Sequence, residues 1–218
     1  MVLTLYGGPL TTCSKRVALI LHEKKVPFKF VEIDLRTGQH KSPAFLEKQP
    51  FGQVPVIDDD GYLLYESRAI GRYITEKYAG QGTQGLIPTD LKAKARFEQA
   101  ASTEQANFDP YASKIVGEKV FKPLFGAKPD EAVYEQNNTI LQDKLEVYEK
   151  ILSKQKYLAG DEITLADLFH LPYATLISAA GSDAIDKRPN VSRWLKELSE
   201  RPAWQAVIGK DGFKSTEE

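Results

Sequence analysis

The sequence predicts a two-part chain: an α/β unit over residues 1–80, a linker over 81–90 and an all-helical bundle over 91–218. Three observations carry this. Up to Tyr78, short β-prone runs and helix-period runs follow one another as strand, helix, strand, short helix, strand, strand, helix. Ala79 to Asp90, AGQGTQGLIPTD, then interrupts the pattern with three glycines and a proline. Beyond it no stretch alternates as a strand over any length, and apolar residues recur at helical spacing.

Taken in order, Val2 to Tyr6 is short, apolar and β-prone, and Gly7-Gly8-Pro9 ends it. From about Thr12 the period becomes helical, with Val17, Ile20, Leu21 and Lys24 on successive turns, until Pro27 stops it. Phe28 to Ile33 is a second strand, and a helix-length crossover between two strands implies a parallel pair. Asp34 to Lys41 is a polar loop, and Pro43 to Lys48 has room for one or two helical turns. Val56-Ile57 and Tyr62 to Tyr65 flank Asp58-Asp59-Asp60-Gly61, the mark of an antiparallel hairpin. Pro55 restricts Val54 to extended backbone and makes their bond a candidate cis peptide. Ser67 is the expected N-cap of a helix from Arg68 to about Tyr78. This is the element order of a thioredoxin-like unit, βαβαββα. In the second part Val133, Asn137, Ile140, Leu141, Lys144, Leu145, Tyr148, Ile151 and Leu152 keep helical spacing, as do Leu165, Leu168, Phe169, Leu176 and Ile177. Thr164 and Asp167 form an expected capping box, with Ile163 stapled onto Leu168, which accounts for the acid without a catalytic role.

Composition removes several function classes. Lys plus Arg number 29 against 30 Asp plus Glu, so no net field draws in nucleic acid or anionic lipid. No apolar run approaches the roughly 20 residues of a membrane span. The first residues enter a strand pattern without the basic and apolar regions of a signal peptide, so a cytoplasmic setting is expected. Cys13 is the one cysteine, and His22, His40 and His170 lack ligand spacing, so neither a disulfide framework nor a metal site is expected.

The stretch from Pro50 to Ile70 carries the binding signal. A bent extended segment at Gln53-Val54-Pro55 offers free backbone N–H and C=O groups, and the helix N-terminus at Glu66-Ser67 favours a carboxylate. Together they suit a small, acidic, peptide-like ligand.

With HKSPAFL (His40 to Leu46), PFGQVP (Pro50 to Pro55), ESRAI (Glu66 to Ile70), YLAGDEITLADL (Tyr157 to Leu168) and ERP (Glu200 to Pro202), the chain resembles the cytosolic glutathione transferases over essentially its whole length. Within them it is most similar to the phi class of plants and fungi. The resemblance implies a thioredoxin-like glutathione domain, a helical domain lining an acceptor pocket, glutathione as co-substrate, a homodimer, and conjugation of hydrophobic electrophiles, with organic hydroperoxides as further substrates. A non-catalytic carrier of hydrophobic ligands on the same fold, or a Cys13-dependent thiol transferase, are the alternatives.

Conjugation needs the thiolate, and a thiol of pKa about 8.5 is a few per cent ionised at neutral pH. A hydroxyl donor at the N-terminus of the first helix would favour the anion. The family uses a serine two positions after the loop proline; here that position is Thr11, with Thr12 and Ser14 as alternatives and Thr12 expected to cap the helix. Cys13, two residues further, is expected to begin the helix and pack inward as a small apolar residue. By the same resemblance Glu66 and Ser67 hold the γ-glutamyl end, Val54 beside Pro55 pairs with the cysteinyl backbone, Gln53 adds side-chain bonds, and His40 and Lys41 face the glycyl carboxylate. Leu10, Leu35, Phe108, Tyr111 and Phe121 are candidates for the acceptor pocket, the aromatics equally for helix core. Phe51 is the candidate apolar plug into a partner subunit.

Overall fold

The structure is a computed structural model that describes residues 2–210 and 212–214. The chain divides into two compact units, one of Met1–Gln84 with Arg201–Glu218, the other of Gly85–Glu200.

The first unit runs β1 (Leu3–Gly7), α1 (Thr12–Glu23), β2 (Phe28–Glu32), a 3-10 turn (Gln39–Lys41), α2 (Pro43–Leu46), β3 (Val56–Asp59), β4 (Tyr62–Tyr65) and α3 (Ser67–Lys77). The sheet order is β2-β1-β3-β4. β1 and β2 are parallel, with Gly7 opposite Glu32, while β3 runs antiparallel to both β1 and β4. The hairpin closes through Asp60 at φ 57 and Gly61 at φ 86, the two left-handed residues that a two-residue turn matching strand twist requires. Asp58 fixes it by accepting the Gly61 N–H at 2.8 Å.

Helix α1 is buried on more sides than a single apolar stripe allows: Val17, Ala18, Leu19, Ile20 and Leu21 are all fully enclosed. The reason is that it packs against α3 and also against α10 (Pro202–Ile208), which contributes buried Trp204 and Val207. The expected boundary is therefore corrected, because the segment from Arg201 onward belongs with the first unit. Arg201 clamps it with Nε and Nη2 on the buried Glu23 carboxylate at 2.6 and 2.7 Å, where Thr83 also donates its hydroxyl. Local sequence pattern carries no information on which core receives this segment.

The second unit comprises α4 (Leu91–Asn107), α5 (Asp109–Val116), a π-helical turn (Gly117–Phe121), α6 (Lys122–Leu124), α7 (Glu131–Leu152), α8 (Leu165–Ala174) and α9 (Pro189–Ser199). α7 faces the core with Tyr134, Leu141, Leu145, Tyr148 and Leu152 at the expected spacing. α8 packs against α4, α5 and α9 and is buried on every side. Asp167 is fully enclosed and accepts the Thr164 N–H at 2.9 Å, the Leu158 N–H at 2.9 Å and the Trp194 indole N–H at 3.0 Å, so the capping residue also ties a loop and a second helix together. His170 has the same kind of role. Its Nδ1 can only donate to the Ala166 carbonyl at 2.7 Å, and its Nε2 lies 3.0 Å from the Tyr148 hydroxyl.

Candidate functional site

The sheet register decides which loops meet. Gly7 lies opposite Glu32, Tyr6 opposite Val56, and Val56 opposite Tyr65. The C-terminal ends of β1, β2 and β4 and the N-terminal end of β3 therefore share one edge. From it leave Gly8 to Ser14, Ile33 to Lys41 and Glu66-Ser67, and into it runs Gln53-Val54-Pro55. All the residues expected to bind glutathione or activate its thiol lie on these four segments.

The first segment places the hydroxyls. Thr11 is the N-cap of α1, its Oγ1 accepting the Ser14 N–H at 3.3 Å. The capping role expected of Thr12 thus belongs to Thr11; Thr12 is already in the helix and buried. Thr11 Oγ1 also lies 2.9 Å from the Gly8 carbonyl oxygen and 2.6 Å from Ser14 Oγ. Ser14 is fully buried, accepts the Gly8 N–H at 3.1 Å, and occupies space left by Gly7, where a Cβ would stand 2.6 Å from its oxygen. Of the three hydroxyls Thr11 alone is only half-buried. The first turn of α1 carries no acidic residue, so its dipole is left to favour an anion. Cys13 is half-buried rather than packed inward, and Arg16 Nη1 stands 3.5 Å from its sulfur.

At the start of α3 the expected register moves by one. Ser67 is the first helical residue, and Glu66 occupies the cap position without a side-chain cap, in left-handed backbone at φ 69. A non-glycine residue held there marks a segment fixed by its surroundings. Ser67 is buried and accepts a hydrogen bond from Nη1 of the fully buried Arg16 at 2.9 Å. Because the guanidinium only donates, the Ser67 proton remains for an incoming acceptor, and a buried positive charge adds to the field of the α3 N-terminus. Arg16 escaped the sequence reading. Its one signal there is a charge set among the apolar residues of α1.

The loop before the 3-10 turn is pinned by Asp34, which accepts the Arg36 and Thr37 N–H groups at 2.8 and 3.4 Å. Those bonds, the Arg36 one foremost, hold its carboxyl below the usual carboxylate range. The turn itself carries His40, whose Nδ1 is buried without a hydrogen-bond partner among the described residues, and Lys41, whose Nζ donates to the Phe51 carbonyl at 2.8 Å. Gly52, at φ 59, lies against both: a Cβ there would meet His40 O at 2.7 Å and Lys41 Cδ at 2.8 Å. Gln53 is exposed, and its N–H donates to Gln49 Oε1 at 3.3 Å. The Val54–Pro55 bond is cis. Val54 packs on the cluster of Ile33, Phe45 and Val56, which Leu35 and Tyr65 extend.

The acceptor candidates divide. Leu10 is exposed, and Leu35 is half-buried on the same cluster as Val54. In the helical unit Tyr111 and Phe121 are half-buried, but Phe108 is enclosed, its ring 4.7 Å from His170 and 6.4 Å from Tyr148. Its expected place in a pocket lining is corrected to the core of that unit. Phe51 is 63% exposed, with Tyr65 edge-on at 6.3 Å. Among the described residues no group of histidine, cysteine and acidic side chains could hold a metal ion, and no helix is long and apolar enough to cross a membrane.

Known proteins share the fold. The family model "Glutathione S-transferase, N-terminal domain" matches residues 1–76, and "Glutathione S-transferase, C-terminal domain" matches residues 110–202. Glutathione S-transferase PM239X14 of Arabidopsis thaliana is 47% identical over 87% of this chain and 88% of its own. The crystal structure of glutathione transferase F7 from Populus trichocarpa superposes with a TM-score of 0.91 at 41% identity, covering 97% of this chain and 99% of that one. Maize glutathione S-transferase I in complex with an atrazine glutathione conjugate gives a TM-score of 0.88 at 32% identity over 100% of both chains. A βαβαββα unit whose loops converge on one sheet edge, a helical second unit, and these matches across nearly the whole length lead to one assignment: the chain belongs to the glutathione S-transferases, in their phi class.

Proposed function

We propose that the shared sheet edge holds glutathione extended across β3 and that Thr11 stabilises its thiolate for attack on hydrophobic electrophiles. The γ-glutamyl carboxylate sits at the α3 N-terminus on Ser67, with Glu66 facing the ammonium. Val54 pairs its main chain with the cysteinyl backbone, Gln53 adds side-chain bonds, and His40 and Lys41 receive the glycyl carboxylate. The thiol gives its proton to solvent; the thiolate then forms a C–S bond as the electrophile's leaving group departs with its electron pair. Leu10 and Leu35 offer apolar surface to the electrophile. Organic hydroperoxides follow the same first step: two glutathiones are oxidised to the disulfide while the peroxide is reduced to alcohol and water. The enzyme works in the cytoplasm as a homodimer, with Phe51 inserted into its partner.

The observation that supports this reading best is the position of Thr11, the half-buried hydroxyl at the N-terminus of α1, beside two buried alternatives. Turnover of an activated aryl halide with glutathione tests it. Thr11→Ala is expected to lower kcat by about 10²-fold or more with a small change in KM for glutathione. An unchanged rate would remove Thr11 from the chemistry.

A further inference from the structure

Ser14 is enclosed and touches no solvent, yet its hydroxyl fixes what the Thr11 hydroxyl can do. Ser14 Oγ has two hydrogen-bond partners: the Gly8 N–H, which can only donate to it, and Thr11 Oγ1 at 2.6 Å. Thr11 Oγ1 in turn receives the Ser14 N–H and lies 2.9 Å from the Gly8 carbonyl oxygen, which can only accept. Each hydroxyl has one proton. Were Thr11 to donate to Ser14, the buried Ser14 proton would face no acceptor among the described residues, an arrangement that forfeits a full hydrogen bond in a buried place. With Ser14 donating to Thr11, every partner is satisfied.

From this proton count we infer that Ser14 is a positioning residue that makes Thr11 a hydrogen-bond donor and nothing else. Both lone pairs of Thr11 Oγ1 are filled from within the loop, one by the Ser14 N–H and one by the Ser14 O–H. Its own proton rests on the Gly8 carbonyl and turns to the sulfur when glutathione is bound. Thr11 therefore cannot receive the thiol proton as a base; it stabilises the thiolate once the proton has left. The chain from Gly8 N–H through Ser14 O–H to Thr11 O–H is aligned head to tail, which polarises the last hydroxyl and strengthens its bond to an anion. Gly7 belongs to this device, because a side chain there would occupy the Ser14 oxygen's place.

This inference rests on Thr11 as the residue at the sulfur, and its test separates the two. The thiol pKa of bound glutathione is read from thiolate absorbance against pH in the full-length protein, for wild type, Ser14→Ala, Ser14→Cys, Thr11→Ala and the Ser14→Ala/Thr11→Ala pair. Ser14→Cys keeps the packing and replaces a good donor by a poor one, so it remains informative if the alanine variant folds poorly. Ser14→Ala and Ser14→Cys are expected to raise the thiol pKa by about one unit, a roughly tenfold shift of the thiol–thiolate equilibrium toward the thiol, with KM for glutathione within about twofold. In the Thr11→Ala background Ser14→Ala is expected to add no further rise. A raised pKa in Thr11→Ala with wild-type values in both Ser14 variants overturns the positioning role alone. Additive rises in the double variant overturn it too, since Ser14 would then act without Thr11. A wild-type pKa in Thr11→Ala overturns the Thr11 reading and the inference with it.

Discussion

Gly52→Ala tests the carboxylate end of the proposed site through a residue that touches no ligand itself. Two costs are separable. The left-handed backbone at φ 59 costs an alanine about 1–2 kcal/mol relative to right-handed conformations. The new Cβ would also stand 2.7 Å from the His40 carbonyl oxygen and 3.0 Å from Lys41 Nζ. The lysine side chain can swing away, but the His40 oxygen is backbone, so the Gln39–Lys41 turn has to move and the Lys41 bond to the Phe51 carbonyl is lost. The first cost lowers Tm by a few degrees in a protein of this size, at about 2–4 °C per kcal/mol. The second displaces an ammonium from a carboxylate, an interaction worth about 1.5–3 kcal/mol, or about 10–100-fold in KM for glutathione. Steady-state kinetics at varied glutathione should show that rise with kcat changed by less than about twofold, because the glycyl end is remote from the sulfur. Lys41→Ala should reproduce the kinetic effect with a smaller loss of Tm. A Gly52→Ala protein with lowered Tm and wild-type KM would refute the assignment of His40 and Lys41 to the carboxylate.

Three further outcomes are expected. Burial alone would push Asp59 up, but bonds from Lys77 and from Tyr73 at 2.6 Å outweigh it and hold its carboxyl below the ordinary value. Its stabilising contribution is therefore complete above the unfolded pKa of about 3.9 and is lost as pH falls through the folded one; urea melts should show Asp59→Asn about 1–3 kcal/mol less stable near neutrality, with the gap closing in acid. Glu23→Gln leaves the Arg201 guanidinium facing a neutral group beside α1, and should cost about 3–5 kcal/mol, seen first as faster hydrogen exchange in Pro202–Ile208. Cys13→Ser should leave conjugation within about twofold of wild type, and a preparation that loses thiol-disulfide exchange activity with that change would favour the thiol transferase reading instead.

The segments proposed to bind glutathione were legible because short motifs mark them. Gln53-Val54-Pro55 and Glu66-Ser67 each announce a local backbone state, and the hairpin between them sets their spacing. What joins them was not legible. The common edge follows from strand register, in which β1 pairs with β3 as well as β2, and no local pattern states that pairing. Cap positions slipped by one at both helix starts, since adjacent residues compete for the role: Thr11 took it from Thr12, and Glu66 stands before Ser67 with no cap of its own. Arg16 was hidden for a different reason. A charged residue on a helix reads as solvent-facing, and only the closeness of α3 turns it into the buried partner of Ser67. Phe108, open equally to pocket and core in the sequence, fills the core, and only the packing against His170 and Tyr148 decides it.

The clasp between Arg201 and Glu23 bears on how the protein is made. The ribosome releases β1 to α3 first, yet α1 also packs against α10 with its buried Trp204 and Val207, which are translated after the whole helical unit. The nascent glutathione unit must therefore wait with apolar surface uncovered while more than half of the chain emerges. Its completion comes last, when Pro202–Ile208 closes over α1. A nascent chain stalled before Arg201 would carry every residue assigned to glutathione and still lack a finished core.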